Sequence, residues 1–189
     1  MNRNMLPGIF FLLLCLPLHA QEIELGFRLE AQGLHRNYTY INSDFGISPF
    51  PTCIQLNAGI SPFNNFWIEL RGGKEFVYSE FTGTEYGVFG RYFLNNSVYL
   101  TAGYAVHSNE ESGGHTSGSY SKVIEMPALG IGIKPWNHVG FSLLFQKLHN
   151  IPISWNVTYI IVDSKSVETY SITKVDWLIK FGLTFDWKL

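Results

Sequence analysis

From Val175 to Lys188 the chain alternates with a period of two residues. Val175, Trp177, Ile179, Phe181, Leu183, Phe185 and Trp187 fall on one face, and Asp176, Leu178, Lys180, Gly182, Thr184, Asp186 and Lys188 on the other. All seven residues of the first face are apolar, and five of the seven on the second are polar. A helix cannot keep such a pattern on one side, whereas a strand does. A slip of one residue would turn every apolar side chain to the wrong face, so the register is strongly specified.

The same period recurs upstream. Ile23, Leu25, Phe27, Leu29 and Ala31 alternate with Glu22, Glu24, Gly26, Arg28 and Glu30. Six further strands are expected at roughly 52–60, 66–76, 83–93, 97–107, 121–134 and 139–149, with boundaries good to two to four residues. The connections Ser61 to Asn65, Leu94 to Ser97 and Pro135 to His138 are short and carry turn residues. Those near 37–51, 77–82, 108–120 and 150–168 are mostly longer. Eight antiparallel strands with short turns at one end and long loops at the other predict a closed up-and-down transmembrane β-barrel. Two places strain this reading. Glu125 shares parity with Leu129 and would face outward, unless a bulge near Met126-Pro127 turns it. Trp155, Val157, Tyr159 and Ile161 alternate within a connection, and are read as an extension of the last two strands into a protruding hairpin.

The N-terminus reads as a signal peptide over residues 1–20, leaving 21–189 as the barrel. Arg3 precedes the apolar run Ile9 to Leu16, and Pro17-Leu18-His19-Ala20 leads to a cut before Gln21. The run is too short for a spanning helix. Leu14 is too bulky for a lipoprotein signal at Cys15. Cys53 is then the one cysteine left, which excludes an internal disulfide and a multi-cysteine metal site. Aromatic residues make up 16% of the chain and charged residues 15%, where a soluble domain has about a quarter charged. The net charge of -2 gives no basic excess for nucleic acid.

Alternation alone does not say which face points out, since a soluble ligand-carrying barrel alternates with its apolar face inside. Three features favour an apolar exterior. Trp177 and Trp187 stand ten residues apart, which at ~3.3 Å rise and ~40° tilt spans about 25 Å, the height of an apolar membrane band between aromatic girdles. Phe63, Phe66, Trp67, Tyr92, Phe93 and Trp136 cluster near the short turns. The final strand, with Trp187 two residues before Leu189, is a partial match to the C-terminal signal read by barrel-insertion machinery.

The stretches Gly90-Arg91-Tyr92-Phe93-Leu94-Asn95-Asn96-Ser97-Val98-Tyr99-Leu100-Thr101-Ala102-Gly103-Tyr104 and Leu129-Gly130-Ile131-Gly132-Ile133-Lys134-Pro135-Trp136 resemble hairpins of the small outer-membrane-protein β-barrel domain family. The resemblance covers the whole mature chain. It implies an eight-stranded barrel in the bacterial outer membrane, with membrane lipid and the insertion machinery as partners, and does not choose an activity.

The face opposite the apolar one carries Glu24, Arg28, Glu30, Glu69, Arg71, Glu85, Arg91, Lys134, Asp176, Lys180 and Asp186. Inside an eight-stranded barrel there is room only for side chains, so these charges are expected to pair into a plug. A narrow ion or proton path is the alternative. Trp177, Ile179, Phe181, Leu183, Phe185 and Trp187 are expected to face lipid. Catalysis finds little support. Outer-membrane lipid A deacylases use a His-x-Ser pair, and His115-Thr116-Ser117 matches it only within a glycine- and serine-rich loop. His107-Ser108 is no better placed. No histidine spacing suits a metal, no phosphate loop follows a strand, and no cofactor is expected. The expected role is non-enzymatic, structural or partner-binding through the loops. The 150–168 segment either pairs with itself, the preferred reading, or offers an open edge to an extracellular partner strand.

Overall fold

The computed structural model describes residues 22–38, 43–48, 50–77, 81–113, 115–162 and 165–189. The expected signal peptide lies outside them. Eleven strands run in chain order: β1 Glu22–Tyr38, β2 Asp44–Ile47, β3 Cys53–Phe63, β4 Phe66–Val77, β5 Phe81–Phe93, β6 Val98–Asn109, β7 Ser112–Gly113, β8 Ser117–Ser119, β9 Lys122–Trp136, β10 Val139–Val162 and β11 Lys165–Lys188. Eight of them, β1, β3, β4, β5, β6, β9, β10 and β11, form the wall in sequence order, each antiparallel to the next. β11 then pairs with β1, from Glu24 opposite Lys188 to Tyr38 opposite Thr173, and closes the barrel.

The short turns are tighter than expected. β3 and β4 are joined by Asn64 and Asn65, with Asn65 at φ 65°, a left-handed conformation that asparagine tolerates. Ser61 Oγ donates to the carbonyls of Phe63 and Phe66 beneath this turn. Asn95 Oδ1 accepts from the backbone N–H groups of Ser97 and Val98 and holds the β5–β6 turn.

The long-loop end is more elaborate. β2 adds to β1 beside its upper half, with Leu34 opposite Gly46. β10 and β11 stay paired up to Val162 opposite Lys165 and form a protruding arm. β8 adds to the other edge of β10, with Trp155 opposite Gly118, and β7 adds to β8. Neither β2 nor the β7–β8 hairpin is visible as alternation in the sequence.

Where wall becomes arm, β10 carries three residues, Leu148, His149 and Asn150, opposite the single Asp176 of β11. His149 and Asn150 have φ of 59° and 60°. On its other edge β11 bulges as well: His35 of β1 faces Trp177 and the next residue, Arg36, faces Val175, so Asp176 is an extra residue and the parity of β11 inverts beyond it. Val175 therefore points inward and is fully buried, contrary to its expected place on the outer face. Asp176 leaves the interior and pairs with Lys147 at 3.0 Å, with about a third of its side chain exposed. At Glu125 the opposite holds. The β6–β9 register runs without a shift from Val98 to Asn109, so no bulge turns it. Glu125 stays on the exposed outer face, where the Tyr104 hydroxyl donates to it.

The interior is narrow enough that large side chains lie across glycines. A Cβ on Gly182 would stand 2.0 Å from the Arg28 guanidinium, and one on Gly132 2.1 Å from the Tyr99 ring. Gly182→Val is therefore expected to destabilise the barrel by about 1–3 kcal/mol through overpacking. Gly140→Ala, whose Cβ would come no closer than 3.6 Å to its neighbours, should change stability by no more than about 0.5 kcal/mol. Urea unfolding in detergent micelles, followed by tryptophan fluorescence, measures both.

Candidate functional site

The barrel is polar inside and apolar outside. Leu56, Leu70, Val88, Leu129 and Phe181 are all more than half exposed, while Arg28, Glu30, Glu69, Glu85 and Lys180 are buried. Along β11, Trp177, Ile179, Phe181, Leu183, Phe185 and Trp187 share the outer face. Phe185 stacks on Phe27 at 4.7 Å, and Trp177 gathers His35, Phe45 and Phe145 into an aromatic patch at the long-loop boundary.

Inside, the charges form two linked groups. Nearer the short turns, Arg91 contacts Glu24 at 2.5 Å, Glu69 at 3.3 Å and Asp186 at 3.8 Å. Lys134 closes the group from the mouth, 2.7 Å from Glu24 and 3.2 Å from Asp186. Asn57 donates to Asp186, and Arg71 pairs with Glu69 at 3.0 Å while stacking over Phe89. Deeper in, Arg28 contacts Glu30, Thr184 and Ser142. Lys180 reaches Glu85 at 2.6 Å, Glu75 at 2.9 Å and Glu30 at 3.4 Å. Gln55 donates to the other oxygen of Glu85. Of the eleven charges expected inside, ten meet in these two groups, and Asp176 stands apart on the bulge.

Three residues of the deeper group were not expected. Glu75 has the same parity as Glu69 and Arg71 on β4, and Cys53 and His107 share the inward parity of β3 and β6. All three lie within the expected strands 52–60, 66–76 and 97–107, where period two gives them inward parity. Above the ionic groups the interior turns apolar. Leu34, Val77, Phe81, Ile124, Met126, Leu148, Ile153, Val175 and Leu178 pack into one buried cluster toward the long-loop end. At the short-turn end a vestibule of about 910 Å³ opens instead, lined by Glu24, Lys134, Trp67, Trp136, His138 and the turn asparagines. The interior is thus accessible to water from one end and capped by hydrocarbon at the other.

The chemistry available is limited. Ligand atoms of Glu75, Glu85 and His107 lie within 4.8 Å of one another, but the Lys180 ammonium sits between the two carboxylates where a cation would stand. His115 is exposed between β7 and β8 and Ser117 is exposed at the start of β8, while His107 lies buried under Phe81, its ring stacked at 4.1 Å.

The arm offers a different kind of surface. Beyond Asn156 on β10 and before Thr173 on β11, the two strands pair with each other and with no other described strand. Tyr159 and Tyr170 on one face are each more than half exposed. The hydrogen bond from Tyr159 to Glu168, at 3.2 Å, and the charge of that carboxylate push the tyrosine hydroxyl above its ordinary pKa.

The wall is a closed eight-stranded antiparallel barrel. Among solved structures it is similar to the N-terminal β-barrel domain of Pseudomonas aeruginosa OprF, at 14% identity over 88% of this chain and 97% of that one, with a TM-score of 0.45. It is also similar to Ail, the attachment invasion locus protein of Yersinia pestis, at 14% identity over 88% and 97%, with a TM-score of 0.39. Neisserial surface protein A matches at 14% identity over 87% and 96%, with a TM-score of 0.30. No family model and no curated protein matches the sequence.

Arg91 carries the largest share of the mouth group, so Arg91→Met should leave Glu24, Glu69 and Asp186 short of a partner. Breaking a buried pair in this way costs about 3–5 kcal/mol. Lys188→Met, which removes an exposed pair with Glu22, should cost less than about 1 kcal/mol. Parallel urea titrations of the refolded variants compare the two.

Proposed function

We propose that residues 21–189 form a non-enzymatic barrel of the bacterial outer membrane, delivered by a leader over residues 1–20 and inserted by the barrel-assembly machinery. The inversion of polarity carries this reading. A water-soluble barrel hides its apolar face, whereas here the exposed face is a belt of Leu, Ile, Val and Phe edged by aromatic residues. Lipid is the solvent that such a belt requires. A soluble carrier of apolar ligands would need the reverse arrangement, with room inside for the ligand.

The interior in this reading is a plug rather than a pore. Paired charges fill the half toward the short turns, and the apolar cluster closes the other half. The functional surface is then the arm, residues 150–168 and their partners on β11, whose strands would take an added strand from an extracellular protein.

The test has three parts. The protein should be recovered with outer membranes and should migrate faster unheated than boiled in detergent gels. Recovery in the soluble periplasm without detergent would refute the assignment. In lipid vesicles, Phe181→Arg at the middle of the belt should cost about 2–4 kcal/mol of folding free energy, and Ile23→Arg at its edge about 0–1 kcal/mol. In planar bilayers no large steady conductance is expected, and one would refute the plug. Replacing residues 153–172 with a two-residue turn should leave folding and heat-modifiable migration intact while abolishing capture of any extracellular partner that the full chain retains.

A further inference from the structure

The deeper ionic group contains a contact that its fixed charges do not explain. Asn109 Nδ2 donates to the Tyr120 carbonyl at 2.8 Å, which orients the amide and turns its Oδ1 toward His107 Nε2 at 3.2 Å. Nε2 therefore carries the ring hydrogen. The other ring nitrogen, Nδ1, lies 3.2 Å from Glu75 Oε2, and both side chains are fully buried. In a neutral ring with hydrogen on Nε2, a bare lone pair would face a carboxylate oxygen, without water to separate them. The line continues, because carboxylate oxygens of Glu75 and Glu85 and a ring nitrogen of His107 lie within 4.8 Å of one another. Two ionised carboxylates this close repel, and a proton held on the line relieves the repulsion.

The charge count points the same way. Among the described residues the interior holds six carboxylates, Glu24, Glu30, Glu69, Glu75, Glu85 and Asp186. It holds five permanent cations, Arg28, Arg71, Arg91, Lys134 and Lys180. One positive charge is missing, and an unbalanced charge in a low-dielectric interior is costly.

We propose that the interior holds one further proton, shared along the line from His107 through Glu75 to Glu85, and that the barrel folds with a neutral interior because of it. Among the described residues no further cationic side chain reaches this line. β1 presents Glu30 beside Arg28, β3 presents Cys53 across the strand from Glu75, and β11 presents Lys180. β9 meets His107 with Ile124, and β10 has no buried titratable side chain among the described residues. The ligand of this site is a proton rather than a metal ion, since Lys180 Nζ already bridges the two carboxylates. The inference concerns the interior alone and does not depend on what the arm binds.

Two spectroscopic readouts on the refolded wild-type chain at neutral pH test it together. The ring nitrogens of His107 are observed by NMR on ¹⁵N-labelled protein, assigned by their loss in His107→Gln, or through the backbone resonances if that variant does not refold. Infrared spectra of protein carrying ¹³C-labelled glutamate report any protonated carboxyl group. Hydrogen on both ring nitrogens supports the proposal. So does a protonated glutamic acid band, equivalent to one group per chain, that disappears in Glu75→Gln or Glu85→Gln. A bare Nδ1 combined with no such band overturns it. So does one tightly bound divalent metal ion per chain found by elemental analysis.

Discussion

Closure of β11 on β1 is the constraint from which the rest follows. It removes the sheet edges, so the wall satisfies its backbone groups by pairing strand to strand and needs no water to do so. It also sets the diameter. Eight strands enclose a space one side chain deep on each side, too narrow for bulk solvent. Inward-facing charges must then find each other, and Arg91 and Lys180 each meet three carboxylates. The same narrowness explains the glycines under Arg28 and Tyr99, which supply the space that a larger residue would take.

The two halves of the interior divide the work. The ionic half fixes geometry through many short, directional contacts, and it communicates with water at the vestibule. The apolar half excludes water and seals the long-loop end. His107 stands at the seam, stacked on Phe81 of the apolar cluster and facing Glu75 of the ionic one. A paired interior of this kind is weak evidence for high stability. Its main consequence is that each charge is specified by its neighbours, so that losing one exposes several.

The wall was legible because period two survives wherever one face meets hydrocarbon and the other does not. That is why the strands from Glu22 and up to Lys188 were placed with the correct inward and outward residues along most of their length. The errors share a cause. Val175 and Asp176 depart from the expected faces because Asp176 bulges against β1, between His35 opposite Trp177 and Arg36 opposite Val175, while the alternation across it looks unbroken in the sequence. β2, β7 and β8 were missed because Asp44 to Ile47 and the serines and glycines of 112–119 acquire strand geometry only by pairing with β1 and β10. Glu75 and His107 lie within the expected strands 66–76 and 97–107 with inward parity, but were not counted with the interior charges.

The amino-acid sequence by itself determined the strand period, the number of wall strands, the asymmetry of the connections and the inward set of charges. These are local properties, set by alternation and by turn residues. Only the tertiary structure decided which charge meets which, where the ionic interior gives way to an apolar cap, and how the last two strands leave the wall as an arm. Those depend on register across strands distant in the chain, and on a bulge at Asp176 that shows only against its partner strand β1. The alternation first seen from Val175 to Lys188 therefore holds from Trp177 onward, and its first two residues belong to the other side of the bulge.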